Sequence, residues 1–452
     1  MSALFETIAA PATPSGTSAI AVVRVSGPEC SALAPQICGI TLPPRVATHC
    51  DYRDAAGTTV DDILVTFFAG PHSYTGEDTL EISTHGNPLI AQLVLDDLFK
   101  RGCHPAEAGE FTRRAFLNGR LDLSQAEAVM DLIHARSARA IAAANQQLRG
   151  SLGLHMAQLT DELLLALARI EAYIDFPDED LPDEDRRIVD DLLAHVLRGT
   201  QRLLATHRYG DLLREGIKTV ILGEPNAGKS SLLNTLLGRE RALVSNEPGT
   251  TRDYLEETAI VGPHCLRLID TAGLNPTPGT IEALGIKKTY ERIEDADLCI
   301  LVLDATHAAP PLPPQIAQRL DPTTTVVVLN KIDLLPHPTP IAVAPEKLPS
   351  VPFSTLTREG VDQLENLIIK IADQFQPANT EEQIAINSRH ADSLRRASES
   401  LHTAQRNLQS QGPTELLASD LRAVLDAYGE IAGRIDTEAM LDRLFSTFCI
   451  GK

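Results

Sequence analysis

Gly223-Glu-Pro-Asn-Ala-Gly-Lys-Ser-Ser231 has the spacing G-x-x-x-x-G-K-[ST], with the apolar run Thr219-Val-Ile-Leu222 before it and Leu232-Leu-Asn-Thr-Leu-Leu237 after it. A strand, a glycine-rich turn and a helix form the setting in which this motif binds phosphates. Gly223 and Gly228 let the backbone close round a phosphate chain, and the loop amides from Asn226 and Ala227 to Ser231 donate to its oxygens. Lys229 reaches the β- and γ-phosphates, and the Ser230 hydroxyl ligates magnesium.

Four more stretches narrow the nucleotide. Asp270-Thr271-Ala272-Gly273 follows an expected strand from His264 to Ile269, placing a carboxylate to hold magnesium through water and a glycine amide beside the γ-phosphate. Asn330-Lys331-Ile332-Asp333 follows the apolar run Val326 to Leu329. The Asp333 carboxylate matches the N1–H and exocyclic amine of guanine, a donor pair that adenine lacks. Within Ser245-Asn246-Glu247-Pro248-Gly249-Thr250-Thr251, Thr251 supplies a second magnesium ligand. Ser354-Thr355-Leu356 sits where a loop supporting the base is expected. In this order the stretches read as a guanine-nucleotide site.

The elements that must carry these residues are legible around them. Residues 216 to about 375 alternate strand and helix, which predicts a mostly parallel sheet with helices on both faces. Before it, Ala19 to Val25, Val60 to Phe68 and Thr79 to Ser83 read as strands and Pro88 to Arg101 as a helix, an α+β domain over 1–118. From Leu121 the pattern turns helical: Ser124-Gln-Ala-Glu127 reads as a capping box opening a long stretch to near Tyr173, and a second helix is expected from Arg187 to about Tyr209. Asp175 to Asp185 holds seven acids and two prolines and reads as a solvated turn. After the sheet, stripes at Leu394 to Leu408, Leu417 to Tyr428 and Glu438 to Phe448 restore the helical pattern. Helical segments over 119–212 and 377–452 thus bracket a nucleotide-binding domain at 213–376, an insertion that close-lying domain termini allow.

With 452 residues, 43% of them apolar, each domain can bury a core. No run reaches the roughly 18 apolar residues of a membrane span and no signal segment opens the chain, so a cytoplasmic protein is expected. The seven cysteines are scattered without a C-x-x-C pair, suggesting neither a disulfide framework nor structural zinc. A net charge of −21 and 4% aromatic residues exclude non-specific wrapping of nucleic acid and broad base stacking, while leaving room for a local RNA contact shared with a partner.

The motifs resemble those of the translation-factor-related GTPases, and within them the MnmE (TrmE) family of tRNA-modification GTPases. The resemblance covers nearly the whole chain, including Ser73-Tyr-Thr-Gly-Glu-Asp78, His85-Gly86, Gly109 to Leu123 and the closing Leu441 to Lys452, which ends in Phe-Cys-Ile-Gly-Lys. It implies a homodimeric GTPase in which potassium neutralises charge developing between the β- and γ-phosphates, ligated by Asn226, Ser245, Glu247 and Thr250. Read alone, Asn226 also fits an Asx turn. After Gly273 the chain has Leu274, which cannot orient water. The family's catalytic glutamate maps to Glu282, whose other reading is a helix N-terminal acid.

The resemblance further implies an N-terminal domain of the glycine-cleavage T-protein type. It would bind 5-formyl- or 5,10-methylene-tetrahydrofolate through Arg24, Glu81, Arg120 and Lys452, with carboxylate for the pterin and cations for the glutamate tail. For Arg24 and Arg120 a surface salt bridge is the alternative. Thr17-Ser18 stand where the family commonly has part of a Gly-Arg-Gly-Gly stretch, and Cys449 reads as structural or pocket-lining rather than as a nucleophile. The implied reaction modifies carbon 5 of the wobble uridine of tRNA (aminomethyl or carboxymethylaminomethyl addition), with an FAD- and NADH-dependent partner in a heterotetramer-type complex. The rival is a GTP-operated switch in ribosome assembly or RNA binding without covalent chemistry.

Overall fold

The structure is a computed structural model. It describes residues 6–174, 183–238, 256–270, 293–309, 311–335, 344–345, 347–377, 384–433, 441 and 444–451. Two compact units partition the chain: Met1–Met130, Leu148–Asp190 and Thr403–Lys452 in one, Asp131–Gln147 and Asp191–His402 in the other.

In the first unit, β1 (Ile8–Pro11), β2 (Ile20–Ser26), β3 (Thr48–Arg53), β4 (Thr59–Phe68), β5 (Thr79–His85) and β6 (His104–Pro105) form one sheet in the order β3-β4-β5-β2-β1-β6. All neighbours are antiparallel except β1 and β6. Helices α1 (Cys30–Cys38) and α2 (Pro88–Lys100) lay Leu33, Ile37, Val94 and Leu98 on Val23, Val25, Ile63, Val65, Leu80 and Ile82 of the sheet. The α+β reading and its strands stand, with ends shifted by one or two residues.

The long helical stretch expected up to Tyr173 is three helices: α3 (Glu110–Leu117) precedes α4 (Leu123–His134), α5 (Ala138–Leu148) and α6 (Ser151–Ile174). Gly150, at φ +87°, turns the chain ahead of α6, and the Ser137 hydroxyl accepts from the Ala140 amide (3.1 Å) to start α5. The capping box is displaced by two residues from Ser124…Glu127. Asp122 Oδ1 accepts from the Gln125 amide (2.8 Å) while Gln125 Oε1 accepts from the Asp122 amide (2.9 Å). Asp and Gln perform the reciprocal exchange as well as Ser and Glu do. The helix expected to run unbroken to Tyr209 divides at Thr206, giving α7 (Asp183–Ala205) and α8 (His207–Glu215). The acidic run is largely outside the described residues, as are 438–440, 442 and 443 of the helix expected from Glu438.

The second sheet has the order β12-β11-β10-β7-β9-β8, built from β7 (Ile217–Gly223), β8 (Glu256–Val261), β9 (His264–Asp270), β10 (Leu298–Asp304), β11 (Thr325–Asn330) and β12 (Ser350–Pro352). Every neighbour is parallel except β8. Its central strands β10 and β11 are continuous apolar runs because both faces are covered. Ile221, Ile300, Val302 and Val328 meet Leu232 of α9 (Lys229–Leu237) and Leu364 and Ile368 of α11 (Val361–Asp373). Val220, Leu222, Leu301 and Val327 meet Ile293 and, from α10 (Pro314–Ala317), Ile316. Helices α12 (Ser388–Gln409) and α13 (Thr414–Ala432) follow, carrying the two stripes expected from the sequence. Among the described residues no helix is long and apolar enough to cross a membrane.

Candidate nucleotide and N-terminal sites

The phosphate loop leaves the C-terminal end of β7 and enters α9, so its dimensions are set by a central parallel strand. Gly223 lies at φ +149°, and a Cβ there would sit 2.2 Å from the Val302 carbonyl oxygen on the neighbouring strand. Gly228, at φ +99°, caps α9 and passes so close to Asn330 that a Cβ would fall 2.1 Å from its Nδ2. Both positions exclude any other residue on two counts, backbone sign and space. Between them Ala227 is buried in the core and Asn226 is exposed at φ +64°.

Lys229 is buried at the start of α9, with its ammonium donating to the carbonyls of Gly223 (3.1 Å) and Glu224 (2.7 Å). That curls the cation over the loop. Ser230 and Ser231, exposed in the first turn, have no preceding helical carbonyl for their amides to meet. A cation, free first-turn amides and a hydroxyl at the start of one helix are the groups a polyphosphate needs.

Asn330 joins this loop to the far side of the site. Wholly buried at the end of β11, it donates from Nδ2 to the Ala227 carbonyl (2.9 Å) and accepts at Oδ1 from the Thr355 amide (3.3 Å). Lys331 adopts φ +68° and sends its ammonium to Asp304 Oδ2 (2.6 Å), leading into a 3-10 turn, Ile332–Leu334. Burial opposes ionisation of Asp304, but Lys331 and two hydrogen bonds from Thr306 outweigh it and hold the carboxyl below its ordinary range. Asp333 is exposed, with Oδ1 accepting from the buried Ser354 hydroxyl (2.6 Å). That hydroxyl accepts in turn from the Thr357 amide (3.0 Å), which fixes the carboxylate's heading. Leu356 points to solvent, 80% exposed, so within that loop Ser354 and Thr355 make the supporting contacts.

Asp304 was missed by sequence reading; its only signal was a carboxylate closing the apolar run Leu298 to Leu303. The role of Asn330 as a tie between two loops was equally invisible, since its partner is a backbone carbonyl 103 residues away. Asp270 closes β9. Ser245, Asn246, Glu247, Pro248, Gly249, Thr250, Thr251, Thr271, Ala272, Gly273, Leu274, Glu282 and Lys452 lie outside the described residues.

In the N-terminal sheet, Arg24 and Glu81 are cross-strand partners on β2 and β5. Arg24 donates from Nε (3.1 Å) and Nη2 (2.8 Å) to Glu81 Oε1, and its guanidinium lies 5.4 Å from the Tyr74 ring centroid and 5.7 Å from that of Phe111. Two aromatic walls and a carboxylate hold one cation flat. Nη1 also donates to the Gly451 carbonyl (3.4 Å), so the chain's last residues reach the same place. They are anchored there by the Cys449 carbonyl, which accepts from the Gly109 amide (3.3 Å), and by Phe445 and Phe448, which pack with Leu123. Cys449 itself is exposed: its backbone, not its thiol, does the structural work. Arg120 is also exposed, its stem against Gly76, and no described contact joins it to Arg24 or Glu81. Tyr74 and Phe111 belong to the motifs Ser73 to Asp78 and Gly109 to Leu123, of which the sequence reading assigns a role only to Arg120.

A parallel sheet with a glycine-walled phosphate loop, and an Asn-Lys-x-Asp turn tied to that loop, define a phosphate-loop GTPase domain. Residues 7–120 match the family model described as GTP-binding protein TrmE N-terminus, and residues 123–449 that of the MnmE helical domain. Similar chains named tRNA modification GTPase MnmE come from Opitutus terrae (56% identical over 100% of both chains), Akkermansia muciniphila (47%, over 99% of each) and Natranaerobius thermophilus (40%, over 99% of each). The chain belongs to the MnmE family.

Proposed function

We propose that this protein hydrolyses GTP to GDP and phosphate and uses that cycle in modifying carbon 5 of the wobble uridine of tRNA. The observation that carries the reading is full-length likeness to chains named tRNA modification GTPase, joined to a built nucleotide site. Asp333, held by Ser354, accepts from the guanine N1–H and amine; Lys229 and the first-turn amides take the phosphates. Ser230 and Thr251 would hold magnesium, which would neutralise phosphate charge. Asn226, Ser245, Glu247 and Thr250 would hold potassium, whose charge would offset that developing on the phosphates, and Glu282 would orient the attacking water. Asn226 is well suited: exposed in the loop, it presents a neutral amide oxygen.

Arg24, Glu81, Arg120 and Lys452 form the folate pocket of the N-terminal domain, supplying the one-carbon unit as 5-formyl- or 5,10-methylene-tetrahydrofolate. The protein works as a homodimer through 1–118, with the nucleotide-binding domain at 213–376 inserted between helical segments 119–212 and 377–452. An FAD- and NADH-dependent partner supplies the redox chemistry and much of the tRNA grip, in keeping with a net charge of −21. The test is the GTP hydrolysis rate in potassium against sodium. A markedly faster rate in potassium is expected; equal rates would remove Asn226 from its role.

A further inference from the structure

At the start of β9 in the nucleotide-binding sheet, His264 Nε2 and the Arg139 guanidinium share Asp373 Oδ1, at 2.8 and 2.6 Å. Arg139 also donates from Nη1 to Gln376 Oε1 and from its backbone amide to the Pro263 carbonyl (3.4 Å). His264 opens β9 and is 5% exposed; Asp373 ends α11; Arg139 lies in the first turn of α5. One arginine therefore grips the turn before β9 and the end of α11 together.

Both gripped elements run toward the candidate nucleotide site. Strand β9 ends at Asp270, six residues or roughly 20 Å away. Helix α11 begins at Val361 after its cap Gly360, beside which the Ser354 amide donates to the Glu359 carbonyl (3.0 Å), and its 13 residues also span roughly 20 Å. On the other side, α5 and α8 form a small block of their own, with Ala140 and Ala143 packed on Tyr209 and Leu213. Arg214 of α8 ties that block further, pairing with Asp131 and donating to the Ile386 carbonyl, both at 3.0 Å. Beside the grip, Tyr209 lines a cleft with Ser137, His264, Cys265 and Phe375. It is 5% exposed, and its hydroxyl has no hydrogen-bond partner among the described residues. A buried hydroxyl left so is the mark of a site with a second arrangement or a bound water.

We infer that Arg139, Asp373 and His264 form a latch that couples the nucleotide loops to the α5–α8 block, with Tyr209 satisfied in the released state. Arg139 is a positioning residue: it touches neither nucleotide nor substrate. The inference rests on the GTPase reading above, and the experiment separates the two. Hydrogen exchange over 138–148 is measured on the full chain with GDP, and with GDP plus aluminium fluoride in potassium, for wild type, Arg139→Gln, Asp373→Asn and Tyr209→Phe.

In the wild type, protection of this segment differs between the two nucleotide states. Arg139→Gln and Asp373→Asn abolish the difference while GTP affinity stays within about twofold. Their wobble-uridine modification falls about tenfold, an ordinary size for coupling between sites. Tyr209→Phe holds the protected state in both nucleotides, and Arg139→Lys, which keeps one bond to Asp373, restores part of the response. A nucleotide-dependent difference that survives unchanged in both Arg139→Gln and Asp373→Asn overturns the latch, as does a wild type that hydrolyses GTP with no difference at all. A wild type that does not hydrolyse GTP overturns the underlying reading instead.

Discussion

At the scale of single residues, the proposed nucleotide site assigns guanine selection to one exposed carboxylate, Asp333. Hydrogen bonds to a charged group contribute about 1.5–3 kcal/mol each. Losing the complementary pair in Asp333→Asn is therefore expected to weaken GTP by about 3 kcal/mol, roughly a hundredfold. Xanthosine triphosphate, which has a carbonyl where guanine has its amine, should bind the variant better than GTP does; titration calorimetry with both nucleotides checks this. Asn226→Ala is expected to bring the potassium and sodium rates together while leaving GDP affinity nearly unchanged.

The pair of His85 Nδ1 with Asp61 Oδ1 (2.8 Å) makes a pH prediction in the motif His85-Gly86. The bond to Asp61 raises the imidazole's pKa above 6.5, and the carboxyl is held below 3.8 because bonds from His85 outweigh its burial. Protonated His85 therefore contributes stability that is present below pH 6.5 and lost as pH rises through the raised value. The Asp61 contribution is present above pH 3.8 and lost as pH falls through the lowered one. An NMR titration should give a His85 midpoint above 6.5 that returns toward it in Asp61→Asn; an unmoved midpoint would contradict the pairing.

Among the elements, the nucleotide site is held by contacts between strand ends, and these are what a sequence hides. Gly228→Ala puts a Cβ against Asn330 at a backbone angle alanine resists, so nucleotide binding should be lost along with part of the domain's stability. Asn330→Ala leaves the Ala227 carbonyl and the Thr355 amide without their partner. A buried unpaired group costs about 1–3 kcal/mol, read as a lower denaturation midpoint for the nucleotide-binding domain. Asp122→Ala removes the true cap of α4 and should cost about 1 kcal/mol, whereas Ser124→Ala should cost less by circular-dichroism melts.

Local chemistry was legible: the loop glycines, the strand runs and the Asn-Lys-x-Asp turn each declare themselves within ten residues. Pairings across the sheet were not. Asp304 with Lys331, Asn330 with Ala227, and Arg24 with Tyr74 and Phe111 depend on which strands neighbour one another. The helix breaks at Ser137, Gly150 and Thr206 escaped notice because the apolar stripe continues across them. The cap was misplaced because Asp122 and Gln125 make the same exchange two residues earlier.

On the scale of the whole molecule, the chain combines a nucleotide-binding sheet with an N-terminal sheet whose cation site is closed by residues from the far end of the sequence. Arg24 meets Gly451, and Phe445 and Phe448 pack on Leu123, so the C-terminal segment is part of the N-terminal fold.

The most direct measurement is mass spectrometry of tRNA wobble uridines in a bacterium whose own family member has been deleted, complemented by this chain or by Lys229→Ala. The account predicts that the chain restores modification at carbon 5 and that the variant does not. Modification at equal levels with and without the chain, or full restoration by Lys229→Ala, would contradict it.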